Sequence, residues 1–218
     1  ALAALLAVAL PGVSAGSAAA AGSASSRADT RPNIVVIYTD DQALDEMGCY
    51  GGKVSTPHMD RLAREGARFT RYYPSAAVCS PSRYTALTGQ YVSRSRGLQQ
   101  DYPTSDHALI LWNSPFQPGD FTAARALREL GYATGMVGKW HNGGPRLVEI
   151  AKDADPSDPQ IAAAIARNYQ EVCAFIRERA SFDYVASVYA DNMRWIPIPA
   201  SLQFHNQEWL TQGALDFI

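Results

Sequence analysis

The chain has 218 residues, a formal net charge of −2, and 47% hydrophobic against 18% charged residues. That composition suits a globular protein with a substantial core and excludes a disordered chain. The near-neutral balance excludes nucleic acid or an acidic membrane surface as a bulk partner.

In chain order, Ala1 to Leu10 is an apolar run, followed by Pro11, Gly12 and small residues, with Val13-Ser14-Ala15 as one cleavage-type site. This is the pattern of the apolar core and end of a secretory signal peptide, too short to span a bilayer. With no initiator Met and no basic leader, the sequence is read as starting inside the signal. Ser17 to Asp29 is an Ala/Ser/Gly linker. Residues 1–30 are therefore expected outside the fold, in an exported protein that is periplasmic or extracellular and has no stable membrane span.

Asn33 to Thr39 is a continuous, β-branched apolar run, which predicts a strand buried on both faces of a parallel sheet. It ends in Asp40-Asp41, where open α/β sheets place their ligand crevices. Two adjacent carboxylates repel, and a divalent cation is one way to relieve this; a solvated turn is the other reading. Thr56 to Gly66 predicts a short helix opened by Pro57, with Met59, Leu62 and Ala63 on its apolar face and His58 at the surface. The preceding Gly48 to Gly52 loop lacks the spacing of a phosphate-binding loop. Ala67 to Tyr73 is read as a short strand.

Cys79-Ser80-Pro81-Ser82-Arg83 then sets a sulfur at the mouth of a helix that runs to Gly89, with Pro81 suited to the first helical position. There Cys79 faces unpaired N–H groups and the positive end of the helix dipole. Arg83, four residues on, returns to the same face with a charged, forked donor. The three cysteines, Cys49, Cys79 and Cys173, are too few for a disulfide framework, though a Cys49–Cys173 bridge stays open.

Residues 93–119 are polar and proline-bearing, and are read as loop shaping a substrate mouth; a lone His107 there carries no assignment. Phe121 to Leu130 predicts an amphipathic helix with Ala124, Leu127 and Leu130 inward and Gly131 at its end. Tyr132 to Gly138 predicts a parallel strand finishing in Lys139-Trp140-His141, whose alternation sets Lys139 and His141 on one face. Asp158 and Pro159 open a helix with Ile161, Ile165, Tyr169, Val172 and Ile176 at core spacing and Cys173 as a structural neighbour. Tyr184 to Tyr189 is a strand, Trp195 to Pro199 a connection, and a final helix runs from about Asn206 to Ile218.

Several of these residues carry a resemblance. Cys79, Pro81, Ser82, Arg83, Leu87, Thr88 and Gly89 resemble the sulfatase signature Cys-x-Pro-Ser-Arg-x-x-x-Leu-Thr-Gly. Thr56 to Ala63 is similar to that family's Thr-Pro-Asn-Leu-Asp-x-Leu-Ala, with His58 in place of Asn. Gly138-Lys139-Trp140-His141 resembles its Gly-Lys-Trp-His segment, although Asn142-Gly143-Gly144 follows where the family has Leu-Gly.

The resemblance implies an α/β, alkaline phosphatase-like fold, with a mostly parallel central sheet flanked by helices and incomplete at the C-terminus. It implies that Cys79 is oxidised to formylglycine by a formylglycine-generating enzyme, and that its hydrated aldehyde is the nucleophile. It further implies calcium held by Asp40, Asp41 and residue 79, with Lys139 and His141 on the sulfate and Arg83 offsetting charge. Residues 31–218 would be the N-terminal part of the catalytic domain. The family's second metal pair, another His and another Lys lie well downstream, and Asp191-Asn192 comes too early to supply them.

The expected activity is hydrolysis of a small-molecule or saccharide sulfate ester, with the isolated fragment inactive. Alternatives are a phosphatase or phosphonate monoester hydrolase on the same scaffold, a Cys79–His141 thiol enzyme, or a non-catalytic secreted module. No Asn-x-Ser/Thr acceptor is present, which favours a bacterial exported enzyme over a lysosomal one.

Overall fold

The computed structural model describes residues 5–10, 31–103, 110, 114–151, 153–189 and 207–218. The chain divides into two compact units, Ala1–Pro74 and Ser75–Ile218.

In the first unit, β1 (Leu5–Leu10) pairs antiparallel with β2 (Asn33–Tyr38), Leu5 opposite Tyr38 and Leu10 opposite Asn33. The sequence pattern placed β2 inside a parallel sheet, buried on both faces. Instead β2 takes an antiparallel partner, and its Val36 is 54% exposed. Chain composition specifies an extended conformation, but it does not specify which neighbours cover the two faces. The cleavage-type site and the linker lie outside the described residues.

Two 3-10 turns, Leu44–Glu46 and Gly48–Tyr50, lead to α1 (Pro57–Glu65), which opens at Pro57 and is followed by Gly66 as its sequence predicts. Thr56 does not cap the helix backbone. Its Oγ1 donates to Asp60 Oδ1 at 2.9 Å and accepts from Gly48 N at 2.8 Å, while Cys49 N donates to the same carboxylate oxygen at 2.7 Å. Asp60 thus ties the glycine-rich loop to α1. His58 is exposed.

Residues 67–73 form no strand. Tyr50 Oη donates to the Phe69 carbonyl at 2.8 Å, and Arg68 Nη1 donates to the Cys49 carbonyl. Side chain to backbone bonds therefore hold this segment where ladder bonds were expected.

The second unit carries α2 (Cys79–Thr88), α3 (Arg96–Asp101), α4 (Ala123–Glu129), β3 (Gly135–Lys139), α5 (Pro159–Ala180), β4 (Tyr184–Tyr189) and α6 (Gln207–Leu215). β3 and β4 are parallel, with α5 in the crossover between them. The helix follows its sequence pattern closely. Asp158 accepts from Gln160 N at 2.7 Å, Pro159 takes the first position, and Ile165, Val172 and Ile176 are buried. Asp158→Ala is expected to lower unfolding free energy by about 1 kcal/mol, read as a drop in the thermal midpoint.

The core gathers Tyr84 and Val92 with Phe116, Trp140, Val172, Ile176 and Val188. Cys173 belongs to it, and burial pushes its thiol up, as suits a structural cysteine. All three cysteines are free.

Three expectations shift in this unit. α4 begins at Ala123 with Thr122 as its cap and ends at Glu129, so Leu130 lies past the helix and is 66% exposed. Residues 93–119 are not all loop, because Ser95 caps α3; His107 falls outside the described residues. α6 is assigned to Leu215, and Phe217 just beyond it stacks on Tyr184, ring centroids 5.3 Å apart. Trp195 to Pro199 and Asp191-Asn192 also lie outside the described residues. Among those described, no helix is long and apolar enough to cross a membrane.

Candidate active site

α2 starts at Cys79, two residues earlier than Pro81 suggested, and Pro81 occupies the third position, where a missing N–H still costs nothing. The helix ends on Gly89, whose φ of +69° is the left-handed cap geometry that glycine adopts freely. Its first turn is buried: Ser80, Pro81, Ser82, Arg83 and Tyr84 are all shielded from solvent, while Cys79 is half-buried.

The second wall of the site is the exit of β3. Gly138 sits at φ +92°, and the β3–β4 register shifts between Met136 and Gly138. Trp140 N continues the pairing by donating to Tyr189 O at 2.9 Å. His141 then turns away at φ +55°. A non-glycine residue in that region costs about 1–2 kcal/mol, so its surroundings must hold it there. Strand alternation therefore does not set the relation of Lys139 to His141, contrary to the sequence argument.

The two walls meet at Cys79. Its Sγ lies 3.0 Å from His141 Nδ1. Arg83 Nη1 donates to the Lys139 carbonyl at 3.0 Å, joining helix to strand one turn deeper. Arg83, Lys139 and His141 are 8%, 6% and 6% exposed. Two basic side chains and an imidazole are thus buried near a helix N-terminus, a part of a helix that favours anions. Tyr84 is excluded as a neighbouring base at ordinary pH, since burial and the Asp120 charge push its phenol up to about 12.

Packing locks this geometry. The Phe116 ring stands between Tyr84 of α2 and Trp140 of the strand exit, with centroids 5.0 and 5.1 Å away. Trp140 Nε1 donates to Gly143 O at 2.8 Å. Three buried polar residues that sequence reading left without a role complete the junction: Ser80, Ser114 and Asn142. The available signal was the Asn142 departure from the family pattern and the variable motif position at Ser80.

Of the predicted site residues, Cys79 meets His141 through their side chains and Arg83 meets the Lys139 carbonyl, all within the second unit. Asp40 and Asp41 stand in the first, exposed at the exit of β2, with Asp41 at φ +52°. No group of three or more His, Cys, Asp or Glu side chains in metal-binding arrangement occurs among the described residues.

The fold is mixed α/β, with a parallel strand pair and flanking helices, and it brings a thiol and an imidazole together where a helix start meets a strand exit. The sulfatase family model matches residues 32–218, and the chain belongs to the sulfatase family. Steryl-sulfatase of Mus musculus is 42% identical over 113 residues, covering 51% of this chain and 18% of the relative. N-acetylgalactosamine-6-O-sulfatase of Bacteroides thetaiotaomicron is 43% identical over 118 residues, covering 53% of this chain and 22% of the relative. A solved structure from the metabolism of multiple glycosaminoglycans by Bacteroides thetaiotaomicron is 42% identical, with a TM-score of 0.39, covering 49% of this chain and 21% of that one. The chain spans about a fifth of the length of the curated relatives it matches.

Proposed function

We propose that this chain is the nucleophile-bearing part of an exported sulfuric ester hydrolase, periplasmic or extracellular, that cleaves R–O–SO3 monoesters. The observation that carries the reading is the Cys79 Sγ to His141 Nδ1 approach of 3.0 Å at the N-terminus of α2. Conversion of Cys79 by a formylglycine-generating enzyme would supply an aldehyde hydrate: one of its oxygens attacks sulfur as the S–OR bond breaks and the alcohol ROH leaves, and loss of the second hydroxyl's proton then expels sulfate and restores the aldehyde. The residue fits that change, being half-buried with its side chain aimed at an imidazole.

What the remaining residues do follows from their places. His141 Nδ1 is within reach of an oxygen replacing Sγ, so it can hold or take a proton there. Arg83 and Lys139 offset the charge that grows on the sulfate oxygens, a contribution that is commonly the largest in such sites. Burial strengthens both, because little water competes.

Asp40 and Asp41, as the resemblance implies, would supply carboxylate ligands to calcium. Their turn suits a hard cation: all side-chain donors are oxygens, and the flanking Thr39 Oγ1 and Gln42 Oε1 are shielded without a hydrogen-bond partner among the described residues. Such an ion would polarise the sulfate as a Lewis acid.

The test is mass spectrometry of the tryptic peptide carrying residue 79, after co-expression of the full-length protein with the converting enzyme. Replacement of the CH2–SH group by an aldehyde is expected. A thiol retained in full would sink the reading. The same 3.0 Å contact is what a thiol–imidazole enzyme requires, and iodoacetamide separates the two: it inactivates a thiol enzyme and spares a converted one. Turnover of nitrophenyl sulfate against nitrophenyl phosphate separates the sulfatase from a phosphatase on this scaffold.

A further inference from the structure

We propose that Asn142, acting with Ser80, is a positioning residue that clamps His141 against residue 79; this rests on the hydrolase reading above. Asn142 is fully buried, and its Nδ2 donates to the Ser80 carbonyl at 2.9 Å and the Ser114 carbonyl at 3.1 Å. Because both partners are carbonyl oxygens, only the NH2 end of the amide can face them. Ser80, also fully buried, closes the circuit. Its Oγ donates to the His141 carbonyl at 2.7 Å and accepts from Ser114 N at 2.8 Å. Phe116 N donates to the Asn142 carbonyl at 3.4 Å, fastening the same loop a second time.

The placement is what gives this circuit a role beyond filling the core. Ser80 is bonded to Cys79 and Asn142 to His141, so the clamp grips the immediate neighbours of the two atoms that stand 3.0 Å apart. It also accounts for His141 keeping its left-handed backbone, since the carbonyl of that residue is held by Ser80 Oγ. A leucine at position 142, as in the resembling family pattern, would fill similar volume but donate no hydrogen bond. The Ser80 and Ser114 carbonyls would then lose a donor while buried.

The test uses a double-mutant cycle in the full-length protein. Asn142→Ala is expected to lower kcat for nitrophenyl sulfate by about 10–100-fold with KM changed less than about threefold, since small displacements at the reacting atoms act on kcat. Ser80→Ala is expected to lower it about 10-fold, and it stands in if Asn142→Ala does not fold. In a His141→Ala background either change is expected to cost less than about twofold, because a positioning residue has nothing left to position. Equal losses in both backgrounds would mark a merely structural amide and overturn the proposal, as would wild-type kcat in both variants.

If the wild-type protein turns over no sulfate ester, the hydrolase reading fails, and unconverted Cys79 judges the clamp by its alkylation rate with iodoacetamide. At least about fivefold slower alkylation in the two variants, absent in the His141→Ala background, supports it; unchanged rates overturn it.

Discussion

Cys79→Ala in the full-length protein is expected to lower kcat/KM for a nitrophenyl sulfate by about 10⁴–10⁶-fold, the scale on which loss of a covalent nucleophile is felt. Stability should hardly change, because the side chain is half-buried at the first position of α2 and alanine suits a helix. Steady-state kinetics and thermal unfolding measured side by side decide it. An alanine variant that keeps a tenth of the wild-type rate would remove residue 79 from the chemistry.

Arg83 gives the second large effect, and here rate and stability fall together. Its guanidinium is buried and donates to the Lys139 carbonyl, so Arg83→Ala strips an acceptor of its donor and deletes a cation at once. A loss of about 2–4 kcal/mol in unfolding free energy is expected. The accompanying fall in kcat should be about 10²–10³-fold. Arg83→Lys restores the charge but not the planar fork, so it should recover stability only in part and rate by less than about tenfold. Full recovery of both by lysine would show that point charge alone suffices there.

How much of this was legible in the sequence depended on whether local chemistry or distant neighbours set the outcome. α5 could be read almost residue by residue, because an Asp-Pro start and an apolar stripe are both local signals. The same holds for Gly89, whose backbone angle only glycine takes without strain. β2 was legible as a strand and illegible as to burial, since what covers Ile34, Val36 and Ile37 is no property of those residues. Leu130 failed for a smaller reason: helical spacing loses its meaning one residue past the last turn.

The site shows the same division. Cys79 and Arg83 are linked by helix geometry and could be placed together from spacing. Lys139 and His141 were assigned through strand alternation, which the left-handed turn at His141 breaks, although the residue still arrives at the sulfur. Ser80 and Asn142 could not be paired beforehand, because 62 positions separate them and only the folded junction brings them into contact.

That same separation sets a timetable. His141 follows Cys79 by 62 positions, so at about 5–20 residues per second it leaves the ribosome about 3–12 s later. Until it arrives, the sulfur has no imidazole to meet and the first turn of its helix has no strand exit to dock against. The thiol is therefore without the neighbour it has in the folded protein for an interval measured in seconds.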